Sequence, residues 1–257
     1  MPPFVSWDID FSRTLVRTFR AMSSDVPMNE MWRRLSWVEF LSHLPEGDLF
    51  DLAQRADFVR LGGGEQLVVR PEEQAQRTLI LLAGQAQVYV LDPSERELTF
   101  SVLASGSAVD GRHGDRGRRS RDLRLRALEP SVVCRVGREE LEALVLVNPV
   151  AALELARMLA RRLVWMEGRW AAAVAMAVPA RLAGVLLMLV ESEGVMTPDG
   201  PMIPTRYTHH QLASMIGSNR EAVTSAFSKL REGGGVEVRG RRVYVCDPDA
   251  LARASGG

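Results

Sequence analysis

Two cysteines in 257 residues set the first limits on this chain. Cys134 and Cys246 lie far apart, each inside a strand-like run, Val132-Val133-Cys134-Arg135-Val136 and Val243-Tyr244-Val245-Cys246. Neither has a second Cys or His at metal-ligand spacing. An iron–sulfur cluster usually takes about four thiolates, and a structural zinc site about four Cys or His ligands. Both are disfavoured, no metal is expected, and both thiols are expected to be buried. Histidine is also scarce. His43, His113, His209 and His210 form no nucleophile–base–orienter set, and the adjacent last pair cannot share one helical face. No catalytic residue is nominated, and the chain is not read as an enzyme. Net charge is absent, with 32 basic against 32 acidic residues. Long apolar runs are absent too. The opening MPPFVSWDIDFSRTLVRTFR has no continuous apolar core, and no later stretch is long and uncharged enough to span a bilayer, so a cytoplasmic protein without a membrane partner is expected. The run Gly62-Gly63-Gly64 lacks the Lys-Ser/Thr of a phosphate loop and is read as a turn.

What remains is an ordinary globular composition, 46% apolar and 25% charged, long enough for about two domains. The most informative stretch is THHQLASMIGSNREAVTSAFSKL, from Thr208 to Leu230. Gly217 marks a reversal between two short helices. Ser218 and Glu221 have the Ser-x-x-Glu spacing of a capping box at the start of the second. Val223, Ala226, Phe227 and Leu230 recur at helical spacing on one face, leaving Arg220, Glu221, Thr224, Ser225 and Ser228 on the other. In the first helix Leu212, Ala213 and Ile216 supply the matching apolar side. This is the layout of a helix-turn-helix, whose second helix enters the DNA major groove. Two short strands follow, around a basic tip at Arg239, Arg241 and Arg242, as in a wing that grips phosphate. Such a local cationic surface on a neutral chain is a nucleic-acid footprint.

Upstream, a short helix is expected around Asp48–Ala56. Short strands follow at Gln66–Arg70, Thr78–Ala83, Gln85–Leu91, Leu98–Leu103, Leu123–Leu128 and Val132–Val136, the density of a small antiparallel barrel or roll. Residues 139–146 look helical. Asn148-Pro149 then caps and opens a long helix, expected to end at Pro179. In it Ala152, Ala156, Leu159, Leu163, Met166, Trp170, Ala173 and Ala177 alternate four- and three-residue steps, a heptad seam that calls for a partner helix. Ala156, Leu159, Leu163, Met166, Trp170 and Ala173 are the expected dimer interface. The fold class is therefore α+β: an antiparallel β-roll sensor domain, a long dimerisation helix and a C-terminal winged helix-turn-helix. The expected boundaries are an N-terminal extension at 1–38, the roll at 39–137, the dimerisation helix region at 138–178 and the DNA-binding domain at 179–257.

From about residue 39 onward this order resembles the CRP/FNR family of bacterial transcription regulators. LILLAGQAQVYV (79–90) is similar to the strand-glycine-strand of that family's cyclic-nucleotide-binding-like roll, and NPVAALELARMLARRL (148–163) to the start of its dimer helix. Residues 209–251 are similar to its DNA-binding domain almost throughout. The resemblance implies a homodimer on a pseudo-palindromic double-stranded DNA operator, with RNA polymerase as a partner. It places the base-reading pair on Arg220 and Glu221: Arg can donate twice to a guanine edge, and Glu can accept from cytosine N4. Ser225 stands where cyclic-AMP-responsive members carry a second reading arginine. Thr208, His209, Ser218 and Asn219 fall where the family touches phosphates, and Thr224, Lys229, Arg239 and Arg241 complete the expected DNA surface.

The effector half departs from the pattern. SGSAVDGRHGDRGRRSRDLRLRAL (105–128) puts Asp110-Gly111 at the family's Gly-Glu pair and Arg121-Asp122 at its Arg-Ser pair, while Met166 and Glu167 occupy its purine-contacting hydroxyl positions. Asp122 would face a phosphate with like charge, so cyclic AMP is disfavoured. The arginine-dense loop contains Arg112–Asp115 and Arg119–Asp122, two Arg-x-x-Asp strings resembling a motif of cyclic di-GMP sites. The candidate effector residues are thus Arg112, Asp115, Arg119, Arg121, Asp122, Met166 and Glu167, and a small-molecule effector, cyclic di-GMP among the alternatives, is left open. Haem is a weaker alternative. Met1-Pro2-Pro3 and His113 resemble the ligands of carbon-monoxide-sensing members, but Asp110 holds their cysteine position.

Overall fold

A computed structural model describes residues 31–110 and 122–256 of the chain. Eight short strands between Asp57 and Gly137 form two antiparallel sheets. The first has the order β1-β8-β3-β6, from β1 (Asp57–Leu61), β8 (Ser131–Gly137), β3 (Arg77–Ala83) and β6 (Ala108–Asp110). The second has the order β2-β7-β4-β5, from β2 (Gln66–Val69), β7 (Leu123–Ala127), β4 (Gln85–Leu91) and β5 (Glu97–Ala104). Their facing sides bury Leu79, Leu81, Val88, Val90, Leu123, Leu125 and Val133. The two-residue period of a strand sends Arg124 and Arg126 to the opposite side of β7. Gly84 turns the chain from one sheet into the other at φ +83°, and a Cβ there would lie 2.3 Å from Ser131 Oγ and 2.5 Å from Pro130 O, so only glycine fits.

The outer side of the first sheet is covered by helices. Met31, Leu35, Val38, Phe40, Leu41, Leu49 and Leu52 join Ile80, Leu82, Val132, Cys134, Val136, Leu141, Val145 and Ala151 in one buried cluster. The contributing helices are α1 (Met31–Leu35), α2 (Glu46–Arg55), α4 (Arg138–Leu146) and the start of α5 (Pro149–Ala175). Residues 31–38, expected to belong to an N-terminal extension, are therefore part of this core. Their apolar content is too short for a periodic signal but is decisive once α2 lies beside it. The short α3 (Pro71–Gln76), β1 and β6 were not expected either. Asn148 caps α5 as anticipated, its side chain accepting from Ala151 N at 3.1 Å. The helix ends at Ala175, before Pro179, which instead stands in the first turn of α6 (Val178–Glu193).

The C-terminal segment has its own core of Leu182, Leu186, Leu189, Ile203, Leu212, Ile216, Val223, Phe227, Leu230, Val245 and Leu251. It comprises α6, β9 (Val195–Thr197), β10 (Gly200–Ile203), α7 (His209–Ile216), α8 (Arg220–Glu232), β11 (Val236–Arg239), β12 (Arg242–Val245) and α9 (Pro248–Ala254), with sheet order β11-β12-β10-β9. The expected burial of both thiols holds only for Cys134, whose burial pushes its ionisation well up and makes it inert. Cys246 is exposed. Val243 and Val245 take the inward positions of β12, so the two-residue alternation puts Cys246 on the outward side with Tyr244. Among the described residues no single helix is long and apolar enough to cross a membrane.

Candidate nucleic-acid interface

The two helices of the turn are set by their caps. Thr208 and Gln211 form a reciprocal capping box at the start of α7, with Gln211 N donating to Thr208 Oγ1 at 3.1 Å and Thr208 N to Gln211 Oε1 at 2.7 Å. Gly217 closes α7 in the left-handed region at φ 61°, where glycine carries no Cβ penalty. Two guanidiniums then satisfy the last carbonyls of α7. Arg181 donates to Ile216 O at 2.6 Å, and Arg169, reaching over from α5, donates to Met215 O. The capping box expected from Ser218 and Glu221 does not form. Asn219 is the cap of α8, accepting from Ala222 N at 2.8 Å. The Ser-x-x-Glu spacing misplaced the helix start by one residue, because Asn219 is an equally good cap and Gly217 turns the chain late enough to use it.

This shift releases Glu221. It lies in the first turn of α8, exposed beside exposed Arg220, Thr224, Ser225 and Lys229, while Val223, Ala226, Phe227 and Leu230 face the core. A carboxylate near a helix N-terminus is favoured by the helix dipole without needing a capping bond. The expected reading pair is thus brought together on an open edge. Asn219 and Thr208 are exposed and Ser218 half-buried, with both Asn219 and Thr208 already engaged in caps.

His209 departs from its expected role as a free phosphate contact. Its ring stacks on Phe227 with centroids 5.1 Å apart, and Nδ1 meets Thr224 Oγ1 at 2.8 Å. The Thr224 hydroxyl donates to Arg220 O at 2.9 Å, which leaves His209 Nδ1 as donor to it. Burial, and next the Arg220 charge, hold its ionisation below the usual histidine value. Its first task is to tie α7 to α8.

The wing turns at Gly240 and Arg241, both with positive φ (57° and 68°), as a two-residue hairpin of the right-twisted kind requires. Arg239 is braced rather than free. It pairs with Asp199 at 2.6 Å and Glu237 at 2.5 Å, lies over the Tyr244 ring at 5.3 Å, and its ionisation is raised by these carboxylates, Glu237 first. Arg241 and Arg242 are exposed at the tip. Arg242 lies beside Arg241 on this exposed tip, as its place in the basic run of the sequence anticipated.

Along α5, Leu159, Leu163 and Trp170 expose 47%, 56% and 73% of their surface. These values fix the seam as an open apolar stripe. Ala156 and Ala173 are exposed with them, whereas Met166 is half-buried toward its own chain. Of the expected effector residues, Arg112, Asp115, Arg119 and Arg121 lie outside the described residues, as do His113 and the opening Met1-Pro2-Pro3. Asp122 stands 3.9 Å from Arg124, and Glu167 is exposed. Among the described residues no group of three or more His, Cys, Asp or Glu could hold a metal ion.

A roll, a long helix with an open apolar stripe and a winged helix-turn-helix with an exposed reading edge define a DNA-binding regulator. Residues 180–254 match the Crp-like helix-turn-helix domain family. The chain is 26% identical over 235 residues to the global nitrogen regulator of Synechocystis sp., covering 91% of this chain and 98% of that protein. It is 24% identical over 181 residues to the CRP-like cAMP-activated global transcriptional regulator of Mycobacterium tuberculosis, covering 70% and 80%. Its fold is similar to that of a CooA mutant from Carboxydothermus hydrogenoformans (TM-score 0.67, 19% identity, 79% and 88% covered) and of FixK2 from Bradyrhizobium japonicum (TM-score 0.66, 20% identity, 79% and 98% covered). Residues 180–254 thus form a Crp-like helix-turn-helix domain, in a chain similar over most of its length to CRP-type transcription regulators.

Proposed function

We propose that the protein acts in the cytoplasm as a homodimer on a pseudo-palindromic operator, with Arg220 and Glu221 at the base edges and Thr224 and Ser225 alongside. Lys229, Arg241 and Arg242 neutralise phosphates, Thr208, Ser218 and Asn219 fix the register, and His209 and Arg239 brace the surface. RNA polymerase is the downstream partner. The observation that carries this reading is the open polar edge of α8 beside an open cationic wing tip, both free of the body of the chain. Dimerisation is supported by the exposed Leu159, Leu163, Trp170 and Val174, which recur on one side of α5 as an apolar stripe. A helix-turn-helix on a two-fold site needs two copies about one DNA turn apart.

Functionally, residues 39–137 are the sensor, 138–178 the dimerisation region and 179–257 the reader. Cyclic AMP is not its effector, because Asp122 and Glu167 place carboxylates where the nucleotide would need a phosphate partner and a hydroxyl. The test is selection of bound duplexes from a random pool, followed by fluorescence anisotropy. Wild type should recover a two-fold sequence with a steep salt dependence, and Arg220→Ala should lose the selectivity. Unchanged affinity and selectivity in that variant would refute the assignment. Sedimentation should give a dimer. Calorimetry with cyclic AMP and with cyclic di-GMP should give no heat for the former.

A further inference from the structure

The outward side of β4 and β5 is unusually polar for a surface so completely covered. Gln85, Gln87 and Thr99 are all buried, Gln87 with no exposure at all. What covers them is the C-terminal domain of the same chain. Gln87 Nε2 donates to Thr99 Oγ1 at 2.6 Å and to Ser214 Oγ at 2.9 Å, and the Thr99 and Ser214 hydroxyls touch each other. Two residues back along β4, the buried Glu193 carboxylate accepts from Gln85 Nε2 at 3.0 Å and from the Tyr207 hydroxyl at 2.8 Å. Thr205 bridges it to Gln85 Oε1 at 2.6 Å. At the outer end, Glu97 is gripped by Arg126 at 2.8 Å and approached by His210 Nε2 at 3.3 Å. Burial alone would raise the Glu97 ionisation, but the Arg126 contact and His210 bring it below the usual carboxylate value. Arg169 completes the set, holding Phe100 O at 3.1 Å with one nitrogen and Met215 O with another.

Two features mark this seam as more than incidental contact. Its partners come from the end of α6, from the back of α7 and from the β10–α7 connection. The reading edge of α8 and the wing tip take no part in it. Its chemistry is also that of a separable interface, since side-chain hydrogen bonds carry much of it, beside Val102 against the C-terminal core, and polar domain interfaces of this kind come apart. Gln87 Oε1, buried without a hydrogen-bond partner among the described residues, weakens the seated state further.

We propose that this surface is a seat: the roll holds the helix-turn-helix of its own chain in the DNA-reading orientation through Gln87, Thr99 and Ser214, and DNA affinity falls when the domain leaves it. Thr99 and Ser214 are positioning residues. They touch no DNA, and they act by fixing in advance the orientation that an unseated domain would have to acquire on binding. The inference rests on the proposed reading through Arg220, and it adds that the sensor controls DNA binding by the occupancy of this seat. A ligand that binds the roll shifts this equilibrium only as far as it prefers one arrangement.

The direct contact between the two hydroxyls supplies the experiment. In a Cys246→Ser background, Thr99→Cys with Ser214→Cys places two sulfurs where a disulfide can close. Oxidation with diamide locks the seat, and dithiothreitol reopens it in the same sample. The locked dimer should bind the selected operator at least as tightly as the reduced one. Ser214→Asp is the converse. Position 214 is not part of the C-terminal core, so the domain tolerates a carboxylate there while the buried seat rejects it, and affinity should drop by about tenfold or more with an unchanged salt slope. Circular dichroism melts confirm that the domain is folded. A locked form that loses binding on oxidation and regains it on reduction would overturn the proposal, as would a folded Ser214→Asp protein that binds like wild type. Arg220→Ala, measured in parallel, separates these outcomes from failure of the reading itself, since only that failure leaves the Arg220→Ala protein at wild-type affinity.

Discussion

Replacing Asn219 by alanine and Glu221 by glutamine separates two roles that the sequence pattern assigns to one motif. Asn219 caps α8 through a single bond to Ala222 N, and Glu221 stands two residues on with its side chain in solvent. Losing an asparagine cap costs about 1 kcal/mol, within a range of about 0.5–2. Losing the Glu221 charge removes only its interaction with the helix dipole, about 0.3–1 kcal/mol at an exposed site in low salt and less in physiological salt. Chemical denaturation of both variants should therefore show a clear fall in midpoint for Asn219→Ala and a smaller one for Glu221→Gln. On DNA the ranking inverts. A carboxylate accepting from cytosine N4 contributes about 1–3 kcal/mol of discrimination, so Glu221→Gln should lose roughly tenfold or more in preference for its base pair over substituted operators. Asn219→Ala should bind all of them more weakly by a similar factor. Competition anisotropy against a panel of single-base operator variants reads both quantities. If Glu221→Gln destabilised the protein as much as Asn219→Ala and kept its base preference, Glu221 would be a capping residue after all, and its assignment to a base edge would be wrong.

Trp170→Glu should convert the dimer to monomer in sedimentation and abolish tight operator binding, because it places a charge in the open stripe beside Leu163 and Val174; a variant that stays dimeric would remove α5 from the interface. Arg241→Ala should lower the slope of log affinity against log salt by about 1.8, two phosphate contacts per dimer at about 0.9 each on B-DNA, whereas Arg239→Ala, already paired with Asp199 and Glu237, should change the slope less and loosen the wing. The depressed His209 ionisation predicts a pH dependence of stability. Below its unfolded value of about 6.5 the unfolded chain takes up the proton first, so stability conferred by the neutral ring is present above that pH and lost as pH falls through the lower folded value. His209→Gln should flatten that part of a stability-against-pH curve, and an unchanged slope would assign it to other groups.

Periodic elements were legible from the sequence because each buries one face of regular spacing. β4 was read to its observed limits, α5 to its Asn148 cap, and α8 by its apolar positions Val223, Ala226, Phe227 and Leu230. Residues 31–38 and the strands β1, β6, β9 and β10 were not, since three to five residues carry too little period to be told from a loop and are defined by their neighbours. The start of α8 was misread for a different reason. Two adjacent good caps, Ser218 and Asn219, compete for one helix start, and the left-handed turn at Gly217 decides between them. The seat was invisible for a third reason. In β4 the alternation Gln85, Gln87, Tyr89 reads as a solvent face, and nothing in the strand itself says that another domain lies on it. Only the burial of three polar side chains together shows that the solvent has been replaced.

In the proposed dimer the two contacts of α5 differ in chemistry. Toward a second copy it offers leucine, valine and tryptophan, whose burial gains with area and needs no particular geometry. Toward the reader it offers Arg169, whose guanidinium is so enclosed that burial brings its ionisation down to about 10. Its hydrogen bonds to Phe100 O and Met215 O hold only in one arrangement. Arg169 and Trp170 are consecutive, so they point about 100° apart on one helical turn. A rotation of α5 that repacks Trp170 against its partner must carry the Arg169 guanidinium with it, away from the carbonyl it holds at the end of α7. An apolar stripe tolerates such a rotation and a pair of carbonyl contacts does not. Dimer packing and seat occupancy are thus joined at adjacent residues, the first able to slide and the second able only to hold or let go.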